Sequence, residues 1–278
     1  KKPSVVQTKD GSPILDSGKL AEYRELRLSS EGAAWEQAAA EEIGRLATGI
    51  QPEIPTGTET MRFIPKHNVP VGKKVTYLRI VASDTPHKAK NKRIRFTVGG
   101  NLLTYNGNAS TKTADLTTVK IVLNSIVSTP GARCLTADLK DFYLNTRLDE
   151  CEYMRIPVSQ IPSNVMDQYN LSPLIHDGFV YVEISGGMYG LIQAGAIANR
   201  KLVSTLHAQG YEQMEHTPGL FKHTTRPIWF TLTVDDFLIA YVGKEHADDL
   251  LSLLENNYTV TKDWDAQQYC GLTLEWDY

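Results

Sequence analysis

The chain has 278 residues, 41% of them hydrophobic, three cysteines and a formal net charge of −3. That much apolar material supports a sizeable core in one large domain or two subdomains and excludes a disordered chain. No apolar run approaches the length of a membrane span, and the negative net charge excludes a uniformly basic nucleic-acid binder. Any basic surface must therefore be local, and Arg62 to Arg95 supplies one: ten Lys and Arg stand against one acid, Asp84, so this stretch carries +9 and the rest −12. A basic face on an acidic body suits phosphate binding; the plain alternative is a solvated basic loop. Cys134, Cys151 and Cys270 form no close pair, which fits a reducing compartment; the expected location is intracellular, cytoplasmic or nuclear. Each is read as a small buried hydrophobe before a thiol nucleophile.

In chain order, residues 1–19 are polar with Gly and Pro and read as a lead-in. Ser29 and Ser30 offer a helix N-cap, and Glu31 to Ala47 is a helix with Trp35, Ala39, Ile43 and Leu46 on one face, bracing the next element. Val75–Ala82 and Lys92–Val98 read as strands joined by a loop bearing Pro86, His87, Lys88 and Lys90. The period of two puts Arg93, Arg95 and Thr97 on one face and Ile94, Phe96 and Val98 on the other. Two guanidiniums beside a lysine-bearing tip suit a triphosphate, since Arg offers a planar fork and Lys a point charge. Gly99-Gly100 and Asn106-Gly107-Asn108 break the chain. Ser110 to Val127 then reads as a helix with Leu116, Val119, Leu123 and Ile126 inward.

After Pro130-Gly131 a short strand ends near Asp138, with Asp141 in the next turn. Gly187 and Gly190 permit a close backbone approach, to template or nucleotide, or form a turn before a helix from Ala194 to Ala208, with Gly210 as its C′ residue. Ile228 to Val242 is two apolar, β-favouring runs around Asp235-Asp236, the pattern of a hairpin with those two residues as its break. Adjacent carboxylates beside a buried sheet repel each other and lose hydration, costs that a bound cation offsets. An ordinary Asp-Asp turn is the alternative until Asp138 is added. Three carboxylates on two neighbouring strands can hold two Mg²⁺, or Mn²⁺, and paired ions clamp the attacking and leaving oxygens of a phosphoryl transfer. Asp138 and Asp235 are the expected ligands and Asp236 the auxiliary. Glu245 to Asn256 is amphipathic with Ala247, Leu250, Leu251 and Leu254 inward, Lys262 falls in a polar turn, and Tyr269 to Trp276 alternates as a strand. His87 and His207 stand in no metal-ligand spacing.

Taken together and in this order, the pieces resemble a reverse transcriptase, most closely the copia-type group of LTR retrotransposons. Ala137-Asp138-Leu139-Lys140-Asp141-Phe142-Tyr143-Leu144-Asn145 is similar to the first catalytic motif. Glu152-Tyr153-Met154-Arg155-Ile156-Pro157 follows as it does there, Gly187-Met188-Tyr189-Gly190-Leu191-Ile192-Gln193-Ala194 is similar to the Tyr-Gly-Leu-Lys-Gln-Ala motif, Val234-Asp235-Asp236 to the Tyr-x-Asp-Asp box, and Tyr269-Cys270-Gly271-Leu272 to the primer grip. The ordered set runs from about Arg93 to Leu274; the first ninety residues resemble the family weakly. The sequence departs from the pattern at Thr233 (usually a bulky residue), Gly195 (Pro), Ile192 (Lys) and Gly186 (a polar residue against the incoming nucleotide), and at no carboxylate.

The resemblance implies an α+β right-hand palm, a four-stranded, mainly antiparallel sheet backed by helices, with a fingers subdomain. Residues 1–60 would be an N-terminal extension, part of the fingers; 61–109 and 146–186 fingers; 110–145 and 187–278 palm. No thumb or RNase H is expected within the sequence. It implies RNA-directed, and also DNA-directed, DNA synthesis by two Mg²⁺, with Asp138, Asp235 and Asp236 as catalytic metal ligands. Arg95 would bind the triphosphate with Lys88 or Lys90 and Arg93; Tyr143 would lie under the incoming sugar, with Gly187 and Gln193 also at the nucleotide. Tyr269, Cys270, Gly271 and Leu272 would grip the primer, and Lys262 is a candidate general acid for pyrophosphate. The implied partners are an RNA or DNA template with primer, deoxynucleoside triphosphates, and a second copy or a thumb and RNase H segment; no membrane is implied. The rival readings are a nucleotidyl cyclase on the same scaffold and a non-catalytic descendant that binds nucleic acid or builds an assembly.

Overall fold

The computed structural model describes residues 5–8, 11–15, 17–85 and 90–277. In chain order it begins with strands β1 (Val5–Gln7) and β2 (Pro13–Leu15), helices α1 (Tyr23–Leu26) and α2 (Gly32–Leu46), and strands β3 (Met61–Ile64), β4 (Val75–Asp84) and β5 (Lys92–Val98). Next come α3 (Leu116–Ser128), β6 (Arg133–Lys140), β7 (Arg147–Pro157), α4 (Ser163–Gln168), β8 (Phe179–Gly186) and α5 (Ala194–Ala208). The chain continues through β9 (Tyr211–Gln213), β10 (Leu220–His223), β11 (Ile228–Thr233), β12 (Asp236–Tyr241), α6 (Lys244–Glu255), β13 (Thr259–Asp263), β14 (Gln268–Tyr269) and β15 (Leu272–Thr273). The result is a mixed α+β chain, rich in antiparallel sheet, in two compact units: Lys1–Gly107 with Tyr143–Ala194, and Asn108–Phe142 with Gly195–Tyr278. None of the helices described is long and apolar enough to cross a membrane.

The first unit is built on a five-stranded sheet in the order β3-β8-β7-β4-β5, antiparallel except where β4 runs parallel to β7. Its core joins Trp35, Ala39, Ile43 and Leu46 of α2 to Ile94, Phe96, Met154, Ile156 and Val182 of the strands. The helical face read from the sequence is thus the buried one. Its start differs: Glu31, not Ser29 or Ser30, is the N-cap. The Ser29 hydroxyl donates to the Leu26 carbonyl at 2.7 Å and accepts the Glu31 N–H at 3.3 Å, so it closes the α1–α2 corner instead of capping α2. Glu42 of α2 accepts the Phe96 N–H at 3.2 Å, which covers part of the open edge of β5. Gly187 to Ala194, expected with the carboxylates, packs in this first unit, as does the 1–60 stretch.

The second unit carries a six-stranded antiparallel sheet, β13-β6-β12-β11-β10-β9, where four strands were expected. The added strands are short or polar, but Phe221 stacks on Phe230 and Tyr211 packs against it at a tilt, which extends the sheet. α3 begins at Leu116 rather than Ser110, because Asp115 accepts the Thr118 N–H at 2.7 Å and caps it. Leu116 is 54% exposed; Val119, Val122 and Ile126 form the buried face against Cys134, Leu238 and Ala240. α6 buries Ala247, Leu250, Leu251 and Leu254 as the pattern required, and Gly210 follows α5 with φ +83°.

Candidate active site

The second unit gathers the carboxylates. β12 pairs with β6 so that Asp236 lies directly opposite Asp138, while Thr233 pairs with Asp236 and Thr261 with Asp138. One row across four strands therefore reads Thr233, Asp236, Asp138, Thr261, all on one face of the sheet. The hairpin break is Val234-Asp235, one residue earlier than the sequence reading placed it, because Thr233 and Asp236 already pair. Asp138 thus faces Asp236, the expected auxiliary, and Asp235 sits in the turn beside them, where its carbonyl accepts the Leu139 N–H at 3.1 Å. Val234 in that turn has φ +63°, a conformation β-branched residues avoid. Strain of this kind persists only where the surroundings hold it.

Electrostatics follow from this placement. Burial, then the charges of Asp235 and Asp138, push the Asp236 carboxyl up from 3.8 to about 6. Burial, then Asp141, also raises Asp138. A cavity of about 250 Å³ is lined by both carboxylates with Thr136, Thr261, Asp263 and Cys270. Burial, with a contribution from Asp236, keeps the Cys270 thiol above its usual range, so it offers no thiolate to compete for a hard ion. Among the described residues no three His, Cys, Asp or Glu side chains already converge as a metal site. Two facing carboxylates nevertheless suit Mg²⁺ or Mn²⁺, since Mg²⁺ is usually held by one or two carboxylates together with waters and substrate phosphates. The hydroxyl row was missed in the sequence; its signal is the alternation Thr231/Thr233, Thr136/Asp138 and Thr261/Asp263.

Two expectations for the C-terminal part are corrected. Tyr269 to Trp276 is not one strand: β14 and β15 pair as a hairpin around Cys270 and Gly271, both left-handed at φ 47° and 78°. Tyr269 is turned inward, while Cys270 is exposed at the turn and Leu272 half-buried. Lys262 lies on β13 rather than in a turn, and its Nζ is 2.7 Å from Glu255 Oε1.

In the first unit Arg93, Arg95 and Thr97 alternate with buried Ile94, Phe96 and Val98, as read. The Arg95 guanidinium lies over the Tyr189 ring at 4.8 Å from its centroid, Arg45 at 6.0 Å, and Tyr143 meets Tyr189 edge-on at 6.0 Å. Burial, then the neighbouring charges of Arg95 and Arg45, lowers the pKa of Arg93. Glu42 offsets part of this crowding by pairing with Arg45 at 2.7 Å, and guanidiniums grouped in this way also favour an external anion. Part of the wider basic face is paired within the fold. Lys90 pairs with Glu41 at 2.8 Å, Lys73 with Glu150 at 2.7 Å, Arg62 with Glu183 at 2.8 Å, and Lys92 with Glu31 and Asp84. Lys88 lies outside the described residues. Gly187 and Gly190 approach backbone closely, but it is their own chain's: an added Cβ would stand 2.5 Å from the Tyr143 carbonyl at Gly187 and collide with the Val98 carbonyl at Gly190, whose φ is +91°. Gln193 is 5% exposed; its Nε2 donates to Glu152 at 3.0 Å, and its Oε1 is buried with no hydrogen-bond partner among the described residues.

No family model matches the chain. Over 139 residues, 49% of this chain, it is 27% identical to the transposon Ty5-1 protein YCL074W of Saccharomyces cerevisiae. The match spans 41% of that protein's length. By sequence, then, half of this chain is distantly similar to a transposon protein.

Proposed function

We propose that the chain is the catalytic part of a reverse transcriptase of the copia type, an RNA-directed and DNA-directed DNA polymerase. In that reaction a primer 3′-hydroxyl displaces pyrophosphate from the α-phosphate of a deoxynucleoside triphosphate, directed by an RNA or DNA template. One observation carries the reading: Asp138 and Asp236 face each other across β6 and β12, with Asp235 in a strained turn beside them and Asp236 raised to about 6. Like charges brought together at a strand end cost stability unless a cation joins them. The ordered motifs and the similarity to a transposon protein support the same reading.

Asp138, Asp235 and Asp236 would hold Mg²⁺ or Mn²⁺ through carboxylate oxygens. Bound there, the ions supply the positive charge that activates an attacking oxygen and steadies a leaving one. The protein's own part is positioning and charge, with little covalent chemistry. Proton and metal compete for Asp236, so metal affinity would weaken as pH falls through about 6. Arg95, stacked on Tyr189 and next to Arg93, offers a fork for phosphate oxygens.

A second reading, a nucleic-acid-binding protein without activity, draws on the lack of three converged metal-ligating side chains among the described residues. Primer extension on a homopolymer template, with Mg²⁺ and with Mn²⁺, separates the two. Extension that disappears in Asp138→Asn supports the polymerase; tight primer–template binding with no extension under either ion supports the second reading.

A further inference from the structure

The Tyr269 side chain is 4% exposed, and the residue lines the cavity that holds the carboxylates. Its hydroxyl lies 3.1 Å from Thr231 Oγ1 and 3.3 Å from Thr233 Oγ1, and it points at the Asp236 carbonyl at 3.5 Å. Thr231 and Thr233 are alternate residues of β11, so both hydroxyls stand on the face that carries Asp236 and Asp138. The network therefore touches both strand ends that flank the Val234-Asp235 turn. Val234 is left-handed at φ +63°, and such a turn keeps its shape only through its surroundings. On the other side of Tyr269, Cys270 and Gly271 are left-handed as well, and both line the cavity that contains the two carboxylates. One hydroxyl thus ties two left-handed turns to a single carboxylate cavity.

We propose that Tyr269 is a positioning residue: its hydroxyl latches the Val234-Asp235 turn in the shape in which the carboxylates take a divalent cation, and so sets the metal affinity of the site. This rests on reading the carboxylates as a metal site. Tyr269→Phe removes the hydroxyl and keeps the ring; Thr233→Val removes its partner. Two readouts are taken on the full chain: backbone hydrogen exchange from Leu232 to Phe237 without metal, and the Mn²⁺ dissociation constant from water-proton relaxation.

The latch predicts clearly faster exchange in the turn of Tyr269→Phe. It also predicts Mn²⁺ binding weakened about tenfold, the scale on which lost support of metal ligands is felt. The double variant binds no more weakly than Tyr269→Phe, because both changes cut the same link. Unchanged exchange overturns the latch. Faster exchange with unchanged Mn²⁺ affinity overturns its link to the metal and makes Tyr269 a packing residue. If the wild type takes up no Mn²⁺, or Asp138→Asn binds it as tightly, the metal reading fails and this proposal with it; the exchange data distinguish that result from failure of the latch alone.

Discussion

Replacing Asp236 by Asn should stabilise the metal-free protein, and only at neutral pH. An acid whose pKa is raised in the folded state holds its proton more tightly there than in the unfolded chain. Folding is therefore unpenalised below the unfolded value of 3.8, loses stability as pH rises through about 6, and carries the full penalty above that. At 1.36 kcal/mol per pH unit the difference corresponds to about 3 kcal/mol. Asp236 is only partly buried, so solvent reduces the penalty to about 1 kcal/mol. Asn occupies the same space and bears no charge. Asp236→Asn should then gain about 1 kcal/mol over wild type at pH 7.5, a Tm rise of roughly 2–4 °C, and nothing at pH 4. Urea unfolding at pH 4, 5, 6 and 7.5 in chelator, followed by the same series in Mg²⁺, measures this. Mg²⁺ should raise the stability of wild type and leave the variant's nearly unchanged. A variant less stable than wild type at every pH would show that Asp236 is a net structural contributor and not a repelled charge.

Arg95→Ala should raise the KM for deoxynucleoside triphosphate about tenfold, the scale of one charged hydrogen bond, with Tm almost unchanged; if KM stays put, Arg95 only stacks on Tyr189 and the phosphate assignment is wrong. Gly190→Ala should cost more than about 1 kcal/mol in unfolding measurements, since its φ of +91° and the nearby Val98 carbonyl leave no room for a Cβ. An alanine variant as stable as wild type would show that this corner moves freely.

Elements carried by local periodicity were legible in the sequence. β5 shows its two faces in the alternation of Arg93 and Arg95 with Ile94 and Phe96, and α6 shows its buried stripe in Ala247, Leu250, Leu251 and Leu254. Where the sequence misled, a long-range contact had overridden a local preference. Val234 is the last residue to place in a left-handed turn by its type, so the two aspartates read as the break; sheet register puts Val234 there instead. Leu116 reads as inward until Asp115 is seen to start the helix and leave it outside. Tyr269 looks like a residue of an alternating strand, yet its partners Thr231 and Thr233 stand 38 and 36 residues away. The basic stretch seemed open because Glu41, Glu150 and Glu183, which neutralise Lys90, Lys73 and Arg62, come from distant parts of the chain. Strands as short as β9 and β10 carry too few residues for a period to register. The facing of Asp138 and Asp236 is not legible locally, since a one-residue shift in the turn decides which of the two neighbouring aspartates pairs with β6.

If the facing carboxylates form a divalent cation site, Mn²⁺ titration of the metal-free protein at pH 7.5 will show it. Wild type should bind Mn²⁺ in competition with Mg²⁺, Asp138→Asn and Asp236→Asn should each bind at least about tenfold more weakly, and wild-type affinity should fall as pH drops through about 6. Equal Mn²⁺ affinity in wild type and Asp138→Asn would mean that these carboxylates hold no divalent cation.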